Sequence, residues 1–141
     1  MIKIQQEDFN SDNEINLIRS QYSNIGAVSS FVGYVRKLNN QQKVTSINIE
    51  VYKDMAYKLL EEICTKAQEK WSIKDTLIIH RFGKLSVNEK IVLVATLSMH
   101  RKESFEACNY IMDYLKQNAP FWKKEFYIDN YKWIENVKLK N

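Results

Sequence analysis

The stretch IVLVATLSM, Ile91 to Met99, sets the first constraint on this chain. Its residues are largely β-branched or apolar, and consecutive side chains of a strand point to opposite faces. A strand that is apolar on both faces must be covered on both faces, so it predicts a central strand of a sheet rather than an edge. The other segments are read around it. IGAVSSFVGYVR, ending at Arg36, predicts a strand, and KLNNQQK a polar turn. VTSINIEVY alternates, with Thr45, Ile47, Ile49 and Val51 on one face, and predicts a half-buried strand that forms a hairpin-like pair with the one before it. DTLIIHRFG predicts a further strand, followed by a turn over GKLSVNEK.

Three segments carry helical signals. A short one spans Asp12 to Gln21. DMAYKLLEEICTKAQEKW repeats Met55, Leu59, Ile63 and Ala67 at helical spacing, with Asp54 able to cap it. ESFEACNYIMDYLKQN places Phe105, Cys108, Met112 and Leu115 on one face and stops before Pro120. An extended, aromatic-rich tail follows, FWKKEFYIDNYKWIENVK. The order α-β-β-α-β-β-α-β implies an α+β fold with a largely antiparallel sheet. With 141 residues, three glycines, one proline and no linker-like segment, residues 1–141 are expected to form one domain.

No apolar run reaches the ~20 residues that span a bilayer, and MIKIQQEDFN lacks the basic-then-apolar order of a secretory signal. The expectation is a cytoplasmic protein without membrane contact. Cys64 and Cys108 fall in helical patterns outside any CxxC, which reads as two packed thiols in a reducing compartment, and no Cys/His cluster has metal-ligand spacing. The net charge of +4 suits an anionic small molecule, an acidic partner or nucleic acid without choosing among them.

Basic residues gather at element ends: Arg36, His80 with Arg81, His100 with Arg101, and Lys116 with Lys123 around Pro120. In MHRKESF a strand gives way to a helix, whose free N–H groups together with Arg101 and His100 suit a phosphate; the plainer reading is solvation of a loop. His80–Arg81 reads as a strand-edge pair with local hydrogen bonds. In KQNAPFWKKEFY, Lys116 lies at the border of the core face, where shielding by Pro120, Phe121 and Trp122 would lower its pKa; a snorkelling lysine is the plainer reading. Lys123 across the corner and the strand-end cations favour an anion pocket.

Taken in order, GAVSSFVGYVR, IEVYKDMA, IIHRFGKL, SMHRKESFEACNYIMDYLK and APFWKKE resemble the large, catalytic subunit of molybdopterin synthase over about Gly26 to Trp133. The resemblance implies an α/β-hammerhead-type fold with an added α+β subdomain. It implies a homodimer that binds two copies of a small ubiquitin-like sulfur carrier, giving a heterotetramer. It implies transfer of two sulfurs from the carrier's thiocarboxylated Gly-Gly terminus to cyclic pyranopterin monophosphate, yielding molybdopterin. Lys116 and Lys123 match the family's catalytic lysines: Lys116 as proton-transfer group and partner of the carrier's terminal carbonyl, Lys123 as the group that orients substrate and tail. Arg36, His100 and Arg101 match its substrate-anion pocket. The carrier brings the sulfur, so the resemblance requires no nucleophilic cysteine, no cofactor and no metal. The turn SVNEK departs from the family in lacking a Pro-Gly or Gly; Asn88 tolerates the left-handed conformation such a turn needs. The tail after Trp133 is short.

Two other classes fit parts of the sequence. A basic α+β nucleic-acid-binding module would account for the pI near 9.0 and the lysines interleaved with aromatics, but the RNP-type strand, GXXG loop and long basic stripe are missing. A non-catalytic assembly partner would have no need of Arg36, His100, Lys116 and Lys123 together.

Overall fold

A computed structural model describes residues 1–118, 120–128 and 130–134. The apolar run becomes strand β8 (Lys90–Ser98), which lies between β6 (Ile73–Arg81) and β2 (Ala27–Tyr34), antiparallel to both. β1 (Ile2–Gln5) completes this four-stranded sheet by running parallel to β6. Both faces of β8 are covered. Val94, with Ile78 of β6, packs beneath helices α2 (Lys53–Lys70) and α3 (Arg101–Asn118), while Leu93, Ala95 and Leu97 meet Phe9 and Ile18 of the segment around α1 (Ser11–Arg19). The two-faced apolar pattern is thus a helix layer on each side of one sheet.

A second four-stranded sheet, ordered β10-β9-β5-β7, is antiparallel throughout. It consists of β5 (Ser46–Val51), β7 (Gly83–Ser86), β9 (Phe121–Phe126) and β10 (Tyr131–Ile134). A small hairpin, β3 (Leu38–Asn39) and β4 (Gln42–Lys43), precedes it, turned by Asn40 and Gln41 at positive φ. The α+β class and the predominance of antiparallel pairing agree with the sequence reading. Tail residues 135–138, expected to be extended, lie outside the described residues.

Several local expectations are corrected. β2 and β5 do not form a hairpin; they belong to different sheets, because β2 pairs with β8 and β5 with β7 and β9. GKLS is a strand rather than a turn, and the turn is confined to Val87–Asn88, with Asn88 left-handed at φ 74°. β1 was not foreseen, since four residues carry too short a pattern. The buried face of α2 is Ala56, Leu60, Ile63, Cys64 and Ala67, so Met55 points outward; Tyr52 takes the N-cap position without a side-chain cap, and Asp54 sits in the first turn. In α3 the buried face is Ser104, Ala107, Cys108, Ile111 and Leu115, leaving Phe105 65% exposed.

Arg81 also differs from its reading as a strand-edge residue. It is buried, and its guanidinium donates to the carbonyls of Gln6 (3.0 Å) and Lys90 (3.1 Å) and to Glu89 (3.4 Å). It ties the segment after β1 to the start of β8, and so is a structural cation rather than one available to a ligand.

Candidate active site

β9 is built by alternation. Phe121, Lys123 and Glu125 share its inner face, while Trp122, Lys124 and Phe126 share the other. On that outer face the Lys124 ammonium sits 3.7 Å from the ring centroid of Tyr131, with Phe126 and Trp133 at 5.5 and 5.4 Å. This cation–π cluster pins the register of β9 on β10 and so holds Lys123 on the inner face. The helix α3 ends at Asn118, two residues before Pro120, which brings Lys116 to the same side.

The result is a cavity of about 650 Å³. Its polar wall consists of Tyr34, Arg36, His80, Lys116 and Lys123, and its apolar wall includes Phe31, Met112, Leu115 and Phe121. It shares Phe31, Met112 and Lys116 with a neighbouring recess between β2 and α3. It shares Arg36 and Lys123 with a third recess that reaches Glu125. The whole is one groove, with a lysine at each junction.

The electrostatics single out Lys123. Burial pushes its pKa down, and the charges of Lys116 and Arg36 push the same way, while Glu125 opposes them. Glu125 is buried; it accepts from Asn39 Nδ2 at 2.7 Å and from the Tyr127 hydroxyl at 3.0 Å. The shielded lysine is therefore Lys123, and Lys116 stands exposed at the rim, opposite to the shielding expected from the sequence.

His80, which the sequence suggests is part of a strand-edge pair, lines the cavity. It is buried against Phe121, with ring centroids 3.7 Å apart and planes 15° from parallel, and its Nδ1–H donates to the Arg81 carbonyl at 2.8 Å. Burial, with Lys123 nearby, holds its pKa down at about 3, so the imidazole is neutral. The available signal was that Leu77 to Arg81 carry no polar-out alternation, and a histidine within such a strand is buried. Since an unfolded histidine titrates near 6.5, the folded state loses stability as pH falls from 6.5 toward 3, and nothing above that window. Urea unfolding between about pH 7 and pH 4.5 is expected to show a wild-type slope steeper than that of His80→Phe by up to about 1.4 kcal/mol per pH unit. Equal slopes would show that His80 is not held neutral.

Three of the five residues singled out from the sequence, Arg36, Lys116 and Lys123, meet at the cavity. His100 and Arg101 do not. They lie at the N-terminal end of α3, and Arg101 is fifteen residues from Lys116, about 22 Å along a straight helix. Their place is fixed by Gly26, where any Cβ would fall 2.2 Å from the Met99 carbonyl oxygen. Among the described residues no group of three His, Cys, Asp or Glu side chains is arranged to hold a metal, and no helix is long and apolar enough to cross a membrane. Cys64 and Cys108 are buried free thiols with raised pKa values, caused first by burial.

Residues 4–118 match the family model described as MoaE protein. A protein of Ralstonia nicotianae named molybdopterin synthase catalytic subunit is 45% identical over 134 residues, covering 95% of this chain and 76% of that one. The fold superposes on a molybdopterin biosynthesis MoaE protein from Burkholderia ambifaria with a TM-score of 0.86 at 39% identity, covering 100% of this chain and 92% of that one. A molybdopterin synthase structure from Staphylococcus aureus gives a TM-score of 0.86 at 34% identity, covering 94% and 95%.

Proposed function

The chain belongs to the MoaE protein family, and from that premise we propose that it is the catalytic subunit of molybdopterin synthase. It converts cyclic pyranopterin monophosphate to molybdopterin with two sulfurs from the thiocarboxylated C-terminus of a small carrier subunit. The observation that carries this reading is the convergence of Arg36, Lys116 and Lys123 on one groove with an apolar wall. A phosphorylated pterin and a carrier tail ending in a thiocarboxylate are both anions, and a cavity whose charged side chains are all cations suits both.

The roles follow from position. Lys116, at the rim, receives the tail's terminal carbonyl. Once the carrier's sulfur has bonded to the substrate, water adds to the carbonyl carbon, and the N–H groups of Lys116 stabilise the negative charge that grows on the carbonyl oxygen. Collapse of that adduct breaks the carbon–sulfur bond, leaving sulfur on the substrate and a carboxylate on the carrier. Lys123, deeper and desolvated, orients the substrate, and burial makes its ammonium a readier proton donor than an exposed lysine. Arg36 offers a planar fork to the phosphate. His100 and Arg101 are too far along α3 to act on the same bound substrate within one chain. In the homodimer that the reading implies, a second copy would supply them to this groove. Residues 1–141 act as one domain, and two carriers on two copies make the heterotetramer. The buried free thiols of Cys64 and Cys108 are compatible with a cytoplasmic setting.

The test is a single-turnover mixture of purified protein, thiocarboxylated carrier and cyclic pyranopterin monophosphate, with molybdopterin detected as its oxidised fluorescent derivative. Product is expected. No product and no carrier binding, with salt-sensitive binding to single-stranded nucleic acid instead, would overturn the reading in favour of a nucleic-acid module.

A further inference from the structure

We propose that His80 is the hydrogen-bond acceptor of the active-site cavity and that its Nε2 reads an N–H donor on the pterin ring. The inference rests on the functional reading above and adds a specificity-determining residue to it. Of the polar side chains that line the cavity, Arg36 and the ammonium groups of Lys116 and Lys123 can only donate while charged. They account for a phosphate and a carboxyl-type terminus, but not for a heterocycle whose amino and ring N–H groups need acceptors. Tyr34 can give or take, and it stands 52% exposed at the edge. His80 alone among these side chains lies inside the wall with its protonation fixed: Nδ1 is committed as donor to the Arg81 carbonyl, so Nε2 carries the lone pair.

Geometry keeps that lone pair in place. The ring is stacked flat on Phe121 at 3.7 Å and held by the Nδ1 bond, so turning it away would break both contacts. No described residue donates to Nε2. Burial with the lysine charge nearby keeps the ring neutral across the physiological range, so the acceptor is not lost to protonation. A permanently neutral, pre-oriented acceptor among cations separates a pterin phosphate from other small phosphates, because a ligand without a donor there leaves a buried lone pair unpaired.

His80→Phe keeps an aromatic ring on Phe121 and removes the acceptor; His80→Gln returns an amide oxygen near the Nε2 position. Calorimetric titration of the purified protein with cyclic pyranopterin monophosphate should show about tenfold weaker binding in His80→Phe and recovery of most of it in His80→Gln. Inorganic phosphate, which engages only the cations, should bind wild type and both variants within about twofold of one another. Unchanged pterin affinity in His80→Phe overturns the acceptor role while leaving the functional reading intact. So does parallel loss of pterin and phosphate affinity, or failure of His80→Gln, folded by its melting curve, to recover affinity. Wild-type protein that takes phosphate but not the pterin overturns the functional reading and this inference with it.

Discussion

Single-turnover product formation by Lys116→Ala is expected to fall at least about a hundredfold below wild type, with the fold unchanged. The size of the effect follows from where Lys116 stands. It lines both the main cavity and the recess between β2 and α3, so a chain entering along that recess must pass it to reach Lys123. Its exposure in the isolated chain means that removal deletes no packed core atom, and the helix position tolerates alanine. Melting temperature should therefore stay within about 2 °C of wild type, less than the roughly 3–4 °C that 1 kcal/mol produces in a domain of this size. The loss should fall on the chemical step, with carrier affinity reduced much less, because a group that meets charge developing in the transition state lowers the rate more than binding. Lys116→Arg keeps charge but not the compact ammonium and should recover only a small part of the rate. Product from Lys116→Ala at the wild-type rate would remove Lys116 from the centre of the mechanism and leave Lys123 as the group to examine.

Much of the frame was legible because it is written in strong periodicities. β8 announced a central strand by being apolar on both faces, and α2 and α3 announced themselves by length and spacing. What escaped were features decided by tertiary pairing. The sequence cannot distinguish a hairpin of β2 with β5 from the observed arrangement, since both strands are flanked by polar turns and only the partners β8 and β9 settle the matter. The helix faces were read one residue out of phase at Met55 and Phe105 because each helix carries apolar residues on its solvent side as well. At the cavity, lysines beside a proline corner were conspicuous in the sequence, and Lys116 and Lys123 both line its wall. Their relative burial was not conspicuous, because the buried lysine, Lys123, lies on β9 opposite Ile49 of β5, a strand distant from it in the sequence. His80 and Arg81 looked like a pair, yet strand alternation sends one to the cavity and the other to a structural network of carbonyls. His100 and Arg101 were grouped with Arg36 through the family resemblance, and the length of α3 keeps Arg101 apart from Lys116 within one chain.

Glu125→Ala is expected to cost about 2–4 kcal/mol of stability and to impair catalysis at the same time. The carboxylate is buried beside Lys123 and accepts from Asn39 of the β3–β4 hairpin and from Tyr127. Truncation would leave both donors short of a partner. It would also leave Lys116, Lys123 and Arg36 facing one another without the carboxylate that offsets their repulsion. Glu125 is the influence that raises the Lys123 pKa against burial and two like charges, so its loss drives that pKa further down. Lys123 would then shed its proton at lower pH, and the alkaline limb of the pH–rate profile should move to lower pH in the variant. Glu125→Gln separates the two effects. It keeps an oxygen for Asn39 and an amide for Tyr127, so chemical unfolding should show most of the stability retained. Removal of the charge should still shift the alkaline limb in the same direction. A Gln variant with a wild-type pH profile would mean that Glu125 serves only to anchor the β3–β4 hairpin on β9. A Gln variant as unstable as the Ala variant would mean that the charge itself, rather than the hydrogen bonds, holds the cation cluster together.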